Sequence, residues 1–138
     1  MVKSTLVFVD TSAFKAVIDG KDEFHQKAIK VWQRLKEEKV TLVTSNYVLD
    51  ETFTLLRARL GFKTADTFRQ SLIQSTQAVK IIRVSVADEA QAWQWFGKDW
   101  TKLSFTDCVS FALMRRLRIA RVVSFDEHFR RAGLRIEE

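Results

Sequence analysis

The chain has 138 residues, 23 Lys plus Arg against 17 Asp plus Glu, a net charge of +6, no Pro, four Gly and a single Cys. This length predicts one domain over 1–138, burying roughly two-thirds of the surface its unfolded chain exposes, with no Pro- or Gly-rich material for a linker. The lone Cys108 excludes an intrachain disulfide and a thiolate metal site, and no apolar run nears the roughly 20 residues of a membrane span, so a cytoplasmic protein with no membrane contact is expected.

Leu6 to Val9 is a continuous apolar, β-branched run, the pattern of a strand covered on both faces, and it stops at Asp10. Ser12 caps a short helix to about Ile18, broken at Asp19-Gly20. Phe24, Ala28, Val31, Trp32 and Leu35 recur at helical spacing opposite Lys27, Lys30, Arg34, Lys36 and Glu37, which predicts an amphipathic helix ending near Lys39. Val40 to Val43 is a second strand. Ser45 or Asn46 caps a helix running to Leu60, with Gly61 as its stop. Another helix covers Thr64 to about Thr76, followed by a strand from Val79 to Val84.

Ser85 with Asp88 forms a capping box that opens a helix to about Phe96. Trp93, Phe96 and Trp100 share a face with Ala90 and are expected in the core, whereas Trp95 is expected to project outward. Phe105 to Leu117 is a helix, Ile119 to Phe125 a strand, and Leu134 to Ile136 a short edge strand. Strands alternate with helices throughout, so the expected fold class is α/β: a three-layer α/β/α arrangement around a central, mostly parallel sheet with right-handed crossovers.

Four acids stand at unusual places in this frame. Asp10 and Asp126 follow strands, Asp107 lies in the first turn of a helix, and Glu51 falls between Val48 and Leu55 on an apolar helical face. Ligand sites of open parallel sheets form outside the carboxyl ends of the strands, where all four can converge. Each Asp has an ordinary explanation, as a helix cap or as an acid favoured by the helix dipole. Glu51 does not, because an unpaired carboxylate on a buried face costs several kcal/mol. Neighbouring Asp50 falls on the opposite, solvated side. Carboxylates about 4 Å apart repel by roughly 4 kcal/mol per pair at an effective dielectric of 20, so the cluster retains protons or holds a cation, and all-oxygen donors select Mg²⁺ or Mn²⁺. His25 is expected in solvent. His128, two residues beyond Asp126, is peripheral and expected at the surface.

Val7-Phe8-Val9-Asp10-Thr11-Ser12, Glu51 within Ser45-Asn46-Tyr47-Val48-Leu49-Asp50-Glu51, Leu103-Ser104-Phe105-Thr106-Asp107 and Ser124-Phe125-Asp126-Glu127-His128-Phe129 resemble, in this order, the acidic motifs of PIN-domain ribonucleases. At this size the chain is similar to the VapC toxins of toxin–antitoxin pairs. The resemblance implies a PIN-like fold and a metal-dependent endoribonuclease, commonly a homodimer, restrained by a cognate antitoxin. It implies Asp10, Glu51, Asp107 and Asp126 as the catalytic, metal-binding quartet, with Thr11, Ser12 and Ser124 as supporting hydroxyls. Cys108 stands where the family often has Ala, a modest change in size.

The implied chemistry is hydrolysis of RNA phosphodiesters by water activated at Mg²⁺ or Mn²⁺. Arg57 and Arg59, with Lys63 and Arg69 beyond, and Arg115 and Arg116, with Arg118 and Arg121, are candidates to track an RNA backbone, and are equally readable as solvated faces. Two other readings stand beside the toxin: a housekeeping RNA-processing nuclease of the same fold, and a non-catalytic RNA-binding or dimerising module. A haloacid-dehalogenase-like phosphatase is disfavoured by Ser12, which stands where that chemistry requires a second acid.

Overall fold

β1 (Leu6–Val9) occupies the centre of a five-stranded sheet, as its unbroken apolar run demands: Val7, Phe8 and Val9 are completely buried. The computed structural model describes residues 5–74 and 79–138. Around β1 the chain places α1 (Thr11–Ile18), α2 (His25–Glu38), β2 (Thr41–Ser45), α3 (Asn46–Leu60), α4 (Phe62–Gln74) and β3 (Lys80–Ile82). Then come α5 (Val86–Phe96), α6 (Phe105–Leu117), β4 (Arg121–Val123), α7 (His128–Arg131) and β5 (Arg135–Ile136). Every pairing is parallel and the strand order is β3-β2-β1-β4-β5. The order reverses at β1, so the crevice beside its carboxyl end is the topological switch point of the sheet.

The helix boundaries follow local chemistry. Asp10, not Ser12, is the N-cap of α1, because the strand ends at Val9 and the helix starts at once; its side chain accepts from the Ser12 N–H. Ser45 caps α3 and Ser104 caps α6, each accepting from the N–H three residues on. α2 closes on Lys39 and α6 on Arg118, both left-handed, and Gly61 ends α3 with φ +94°. β2 runs two residues past the expected Val43, since Thr44 and Ser45 still pair with β3. α4 begins at Phe62, two residues before the expected start, and the expected end near Thr76 lies outside the described residues. β3 and β4 are shorter than expected at both ends, and the four-residue α7 has too few positions to show a period.

The phase of α5 is opposite to the expectation. Trp93 is 63% exposed and Phe96 39%, while Trp95 packs against the core beside Phe111 and Trp100. The capping box of Ser85 and Asp88 is present, but Asp88 has a second role that reverses the helix. Its carboxylate is buried and takes two hydrogen bonds from the Arg116 guanidinium of α6, at 2.7 and 2.9 Å. Asp88, Ala92 and Trp95 therefore face inward at i, i+4 and i+7, and Trp93 and Phe96 lean outward onto Phe105.

Arg116 thus secures α6 to α5 instead of standing free. Removing it strands a buried carboxylate, so Arg116→Ala should lower unfolding stability by about 2 kcal/mol, while Arg57→Ala, exposed and without an ion pair among the described residues, should stay within about 0.5 kcal/mol. Urea denaturation of both variants checks this, and equal small losses would mean the pair contributes nothing. No helix among the described residues is long and apolar enough to cross a membrane.

Candidate functional site

β1 and β4 run side by side with Val9 opposite Val123, so the residues that follow them meet at the switch point. The Asp10 N–H donates to the Val123 carbonyl at 3.1 Å, which fixes the Asp10 backbone against the end of β4. The Ser12 and Ser124 hydroxyls both donate to Asp10 Oδ2, at 2.9 and 3.0 Å, and lie 3.2 Å from each other. Those hydroxyls also accept in turn, Ser12 from the Phe125 N–H and Ser124 from the Asp126 N–H. Segments 10–12 and 124–126 are stitched into one unit by two side chains.

The Asp10 carboxylate is only half satisfied. Oδ2 takes the hydroxyl bonds, while Oδ1 is buried with no hydrogen-bond partner. Burial drives the Asp10 pKa up to about 6, the Ser12 and Ser124 hydrogen bonds oppose that rise, and the charge of Glu51 adds to it. Asp107, 5% exposed in the first turn of α6, is pushed further, to about 8, by burial first and then by the charges of Asp10, Asp126 and Glu51. Asp10, Asp126 and Glu51 thus all act electrostatically on Asp107, the acid on which the other three converge.

Glu51 reaches the cluster from α3, but not as a buried residue. The inward stripe of α3 is Val48, Leu49, Thr52 and Leu56, and Glu51 sits half-buried at its margin, turned a further step round the helix from the expected phase. Asp50 is exposed, as its phase predicts. Asp126 is also on the rim, with a third of its side chain accessible, and its Oδ1 accepts from the His128 N–H at 2.9 Å. Two sheltered acids, Asp10 and Asp107, are thus flanked by two that meet solvent.

Thr11 departs from the expectation that its hydroxyl supports the acids. That hydroxyl points to α3, donating to the Val48 carbonyl at 3.4 Å and lying 3.4 Å from the Thr52 hydroxyl, so it ties α1 to α3. Its backbone amide is what favours the Asp10 carboxylate. Cys108, fully buried one position beyond Asp107, has its thiol pushed up to about 11 by burial and by the Asp107 charge, and it is inert as a nucleophile there.

The basic candidates separate into two groups. Arg115, Arg116 and Arg118 lie at the carboxyl end of α6, eight or more residues and so roughly 12 Å along the axis from Asp107. Arg116 is held by Asp88, Arg121 by Glu38 and Glu137, and Arg69 by Asp66. Arg57, Arg59 and Arg115 are exposed and carry no ion pair among the described residues; the first two stand in the last turn of α3. Clustering in sequence conceals this division, because ion-pair partners such as Asp88 and Glu137 come from distant segments.

His128 is a residue that sequence reasoning undervalues. It opens α7, with its side chain 16% exposed, and its Nδ1 lies 3.1 Å from Asp126 Oδ1 and 3.6 Å from Asp107 Oδ2. One ligand atom from each of Asp107, Asp126 and His128 falls within 4.8 Å of the others, a grouping of the size that a metal ion spans. The neighbouring Phe129 is completely buried, so the segment that carries His128 packs on the core.

Known proteins resemble this chain in sequence and fold. The PIN domain model matches residues 7–134. The 23S rRNA-specific endonuclease VapC20 of Mycobacterium tuberculosis, in strains CDC 1551 / Oshkosh and H37Rv, is 36% identical over 129 residues, covering 93% of this chain and 95% of the relative. The crystal structure of M. tuberculosis VapC20, a Sarcin-Ricin loop cleaving toxin, aligns with a TM-score of 0.79 over 93% of this chain and 95% of that one. FitAcB from Neisseria gonorrhoeae aligns at 16% identity with a TM-score of 0.64 over 96% of each chain, a likeness of fold alone.

Proposed function

The chain belongs to the PIN-domain family, and from that premise we propose that it is a Mg²⁺- or Mn²⁺-dependent endoribonuclease, the toxin of a toxin–antitoxin pair acting in the cytoplasm. The observation that carries the metal reading is Asp10. Its Oδ1 is buried without a partner while burial and Glu51 raise the cost of its charge, and a hard divalent cation relieves both at once. Asp10 and Asp107 would hold the ion, with Asp126 and Glu51 completing or orienting its surroundings from the rim. Such an ion supplies Lewis-acid polarisation of a phosphodiester and lowers the pKa of an attacking water.

The protein's own residues prepare that chemistry. Ser12 and Ser124 confine Asp10 to one rotamer by occupying Oδ2, so that only Oδ1 is left to a ligand. Asp107 holds a proton at neutral pH in the metal-free protein, which keeps the cluster from repelling itself apart. Half-buried Glu51 and Asp126 face the side from which a polyanionic substrate and water arrive. Arg57, Arg59 and Arg115 are among the exposed cations, without an ion pair among the described residues, that would meet its backbone.

The substrate proposal rests on the relatives: 36% identity over 93% of the chain supports an RNA target, with the sarcin–ricin loop of 23S rRNA the first to try. A cognate antitoxin and a homodimer are the proposed partners. The test is cleavage mapping on total RNA and on ribosomes with Mn²⁺, Mg²⁺ or a chelator. Cleavage should require the metal, fall at least about tenfold in Glu51→Gln and change little in Asp50→Asn. Cleavage that persists in chelator, or that Asp50→Asn abolishes and Glu51→Gln spares, would overturn the proposal.

A further inference from the structure

His128 lies in the last acidic motif without being one of its acids, yet both of its ring nitrogens are placed. Nε2 lies 2.8 Å from the Thr101 carbonyl oxygen. A carbonyl only accepts, so Nε2 must carry the hydrogen, and the neutral ring then has its lone pair on Nδ1. Nδ1 is buried and makes no hydrogen bond, although Asp126 Oδ1 and Asp107 Oδ2 are 3.1 and 3.6 Å away. The ring plane is fixed by Trp100, which stacks on it at 6.1 Å and 19°, and Trp100 is itself covered by the Arg131 guanidinium at 4.6 Å. A metal-binding histidine has the same two parts: one nitrogen open to the ion, the other donating to a fixed oxygen that sets tautomer and orientation.

We propose that His128 is a nitrogen ligand, through Nδ1, to the divalent ion shared with Asp107 and Asp126, and that it biases the site toward Mn²⁺ over Mg²⁺. This rests on the reading of the acids as a divalent-metal site. Mg²⁺ favours an all-oxygen shell and holds its waters, whereas Mn²⁺ accepts imidazole, so one nitrogen in an oxygen site shifts the choice between them. The loop before α6 thereby acquires a role, because the Thr101 carbonyl and the Trp100 ring, both outside the acidic motifs, hold the ligand in position.

Pulsed EPR of the Mn²⁺-loaded full chain, labelled with ¹⁵N in histidine alone, tests this without reference to activity. A ¹⁵N coupling to Mn²⁺ is expected in wild type and should vanish in His128→Phe, which keeps the ring stacked on Trp100 but removes both nitrogens. In the same variant Mn²⁺ affinity by calorimetry should fall about tenfold or more while Mg²⁺ affinity changes less than about threefold. Mn²⁺ bound to wild type with no nitrogen coupling would overturn the role of His128 and leave the acidic site standing. Failure of wild type to bind Mn²⁺ at all would remove both. The wild-type spectrum decides the matter even if the variant does not fold.

Discussion

Asp107→Asn is expected to give a metal-free protein more stable than wild type by roughly 2–4 kcal/mol at pH 7, and an enzyme about 10³-fold slower in RNA cleavage. The two effects have one origin. Asp107 is 5% exposed and faces three other acids, so the folded protein at pH 7 must either take up a proton there or bury a repelled charge. Asn requires neither. It also removes the negative charge that a divalent ion needs, which withdraws several kcal/mol of transition-state stabilisation, about three powers of ten in rate. Asp10→Asn should cost cleavage similarly but stabilise less, because the Ser12 and Ser124 hydrogen bonds already offset part of the burial. Urea denaturation in chelator and cleavage at matched Mn²⁺ check both halves. Full activity in the Asp107 variant would remove that residue from the site, and a loss of metal-free stability would mean that the acids are held by partners other than an ion.

Wild type should lose several kcal/mol of metal-free stability as the pH rises from about 4 to 8. Asp10 and Asp107 have folded pKa values of about 6 and about 8 against 3.8 unfolded, so between those values the native state binds more protons than the unfolded chain. Stability must then fall with rising pH, in full above the folded values and not at all below 3.8. Asp88 works in the other direction. The Arg116 guanidinium holds its carboxyl below the ordinary value, so its contribution is present above that value and is lost on acidification. Glu137 behaves alike: burial alone would raise it, and its hydrogen bond from Arg121 prevails. Metal-free stability should therefore peak near about pH 4 to 5. Saturating Mn²⁺, at about 100 times its dissociation constant, should add roughly 2.7 kcal/mol, and the gain at fixed Mn²⁺ should grow toward about pH 8 as protons cease to compete. Thermal unfolding across pH, with and without Mn²⁺, gives the curves. A metal-free profile rising from about pH 5 to 8 would contradict the site electrostatics.

Much of this is readable in the sequence, for physical reasons that differ by residue. The run Leu6 to Val9 announces a doubly covered strand because no polar residue interrupts it, and the alternation of elements then requires a parallel sheet whose strand ends lie on one side. That places Asp10 and Asp126 together without any contact being known. Helical phase alone separates Glu51 from Asp50, although it puts Glu51 too deep: Thr52, not Glu51, follows Val48 into the core, where its hydroxyl is satisfied by the Val48 carbonyl. The failures share a cause. Local pattern exchanges Trp93 with Trp95 and shows Arg116 as free, because the pairing of Asp88 with Arg116 joins residues 28 apart and outweighs that pattern. His128 reads as a surface residue because its orientation depends on Thr101 and Trp100, which no periodicity connects to it.

The bond from Ser124 to Asp10 spans 114 residues, and it has a consequence for the timing of synthesis. β1 is made first, yet it sits in the middle of the sheet, and it cannot be enclosed until β4 is available to lie beside it. At about 5–20 residues per second, Asp10 leaves the ribosome's catalytic centre roughly 6–23 seconds before Ser124 is joined to the chain. Through the later part of that interval the nascent polypeptide contains Asp10 and Glu51 but lacks Ser124 and Asp126. The proposed site can therefore be complete only when nearly all of the domain has been translated.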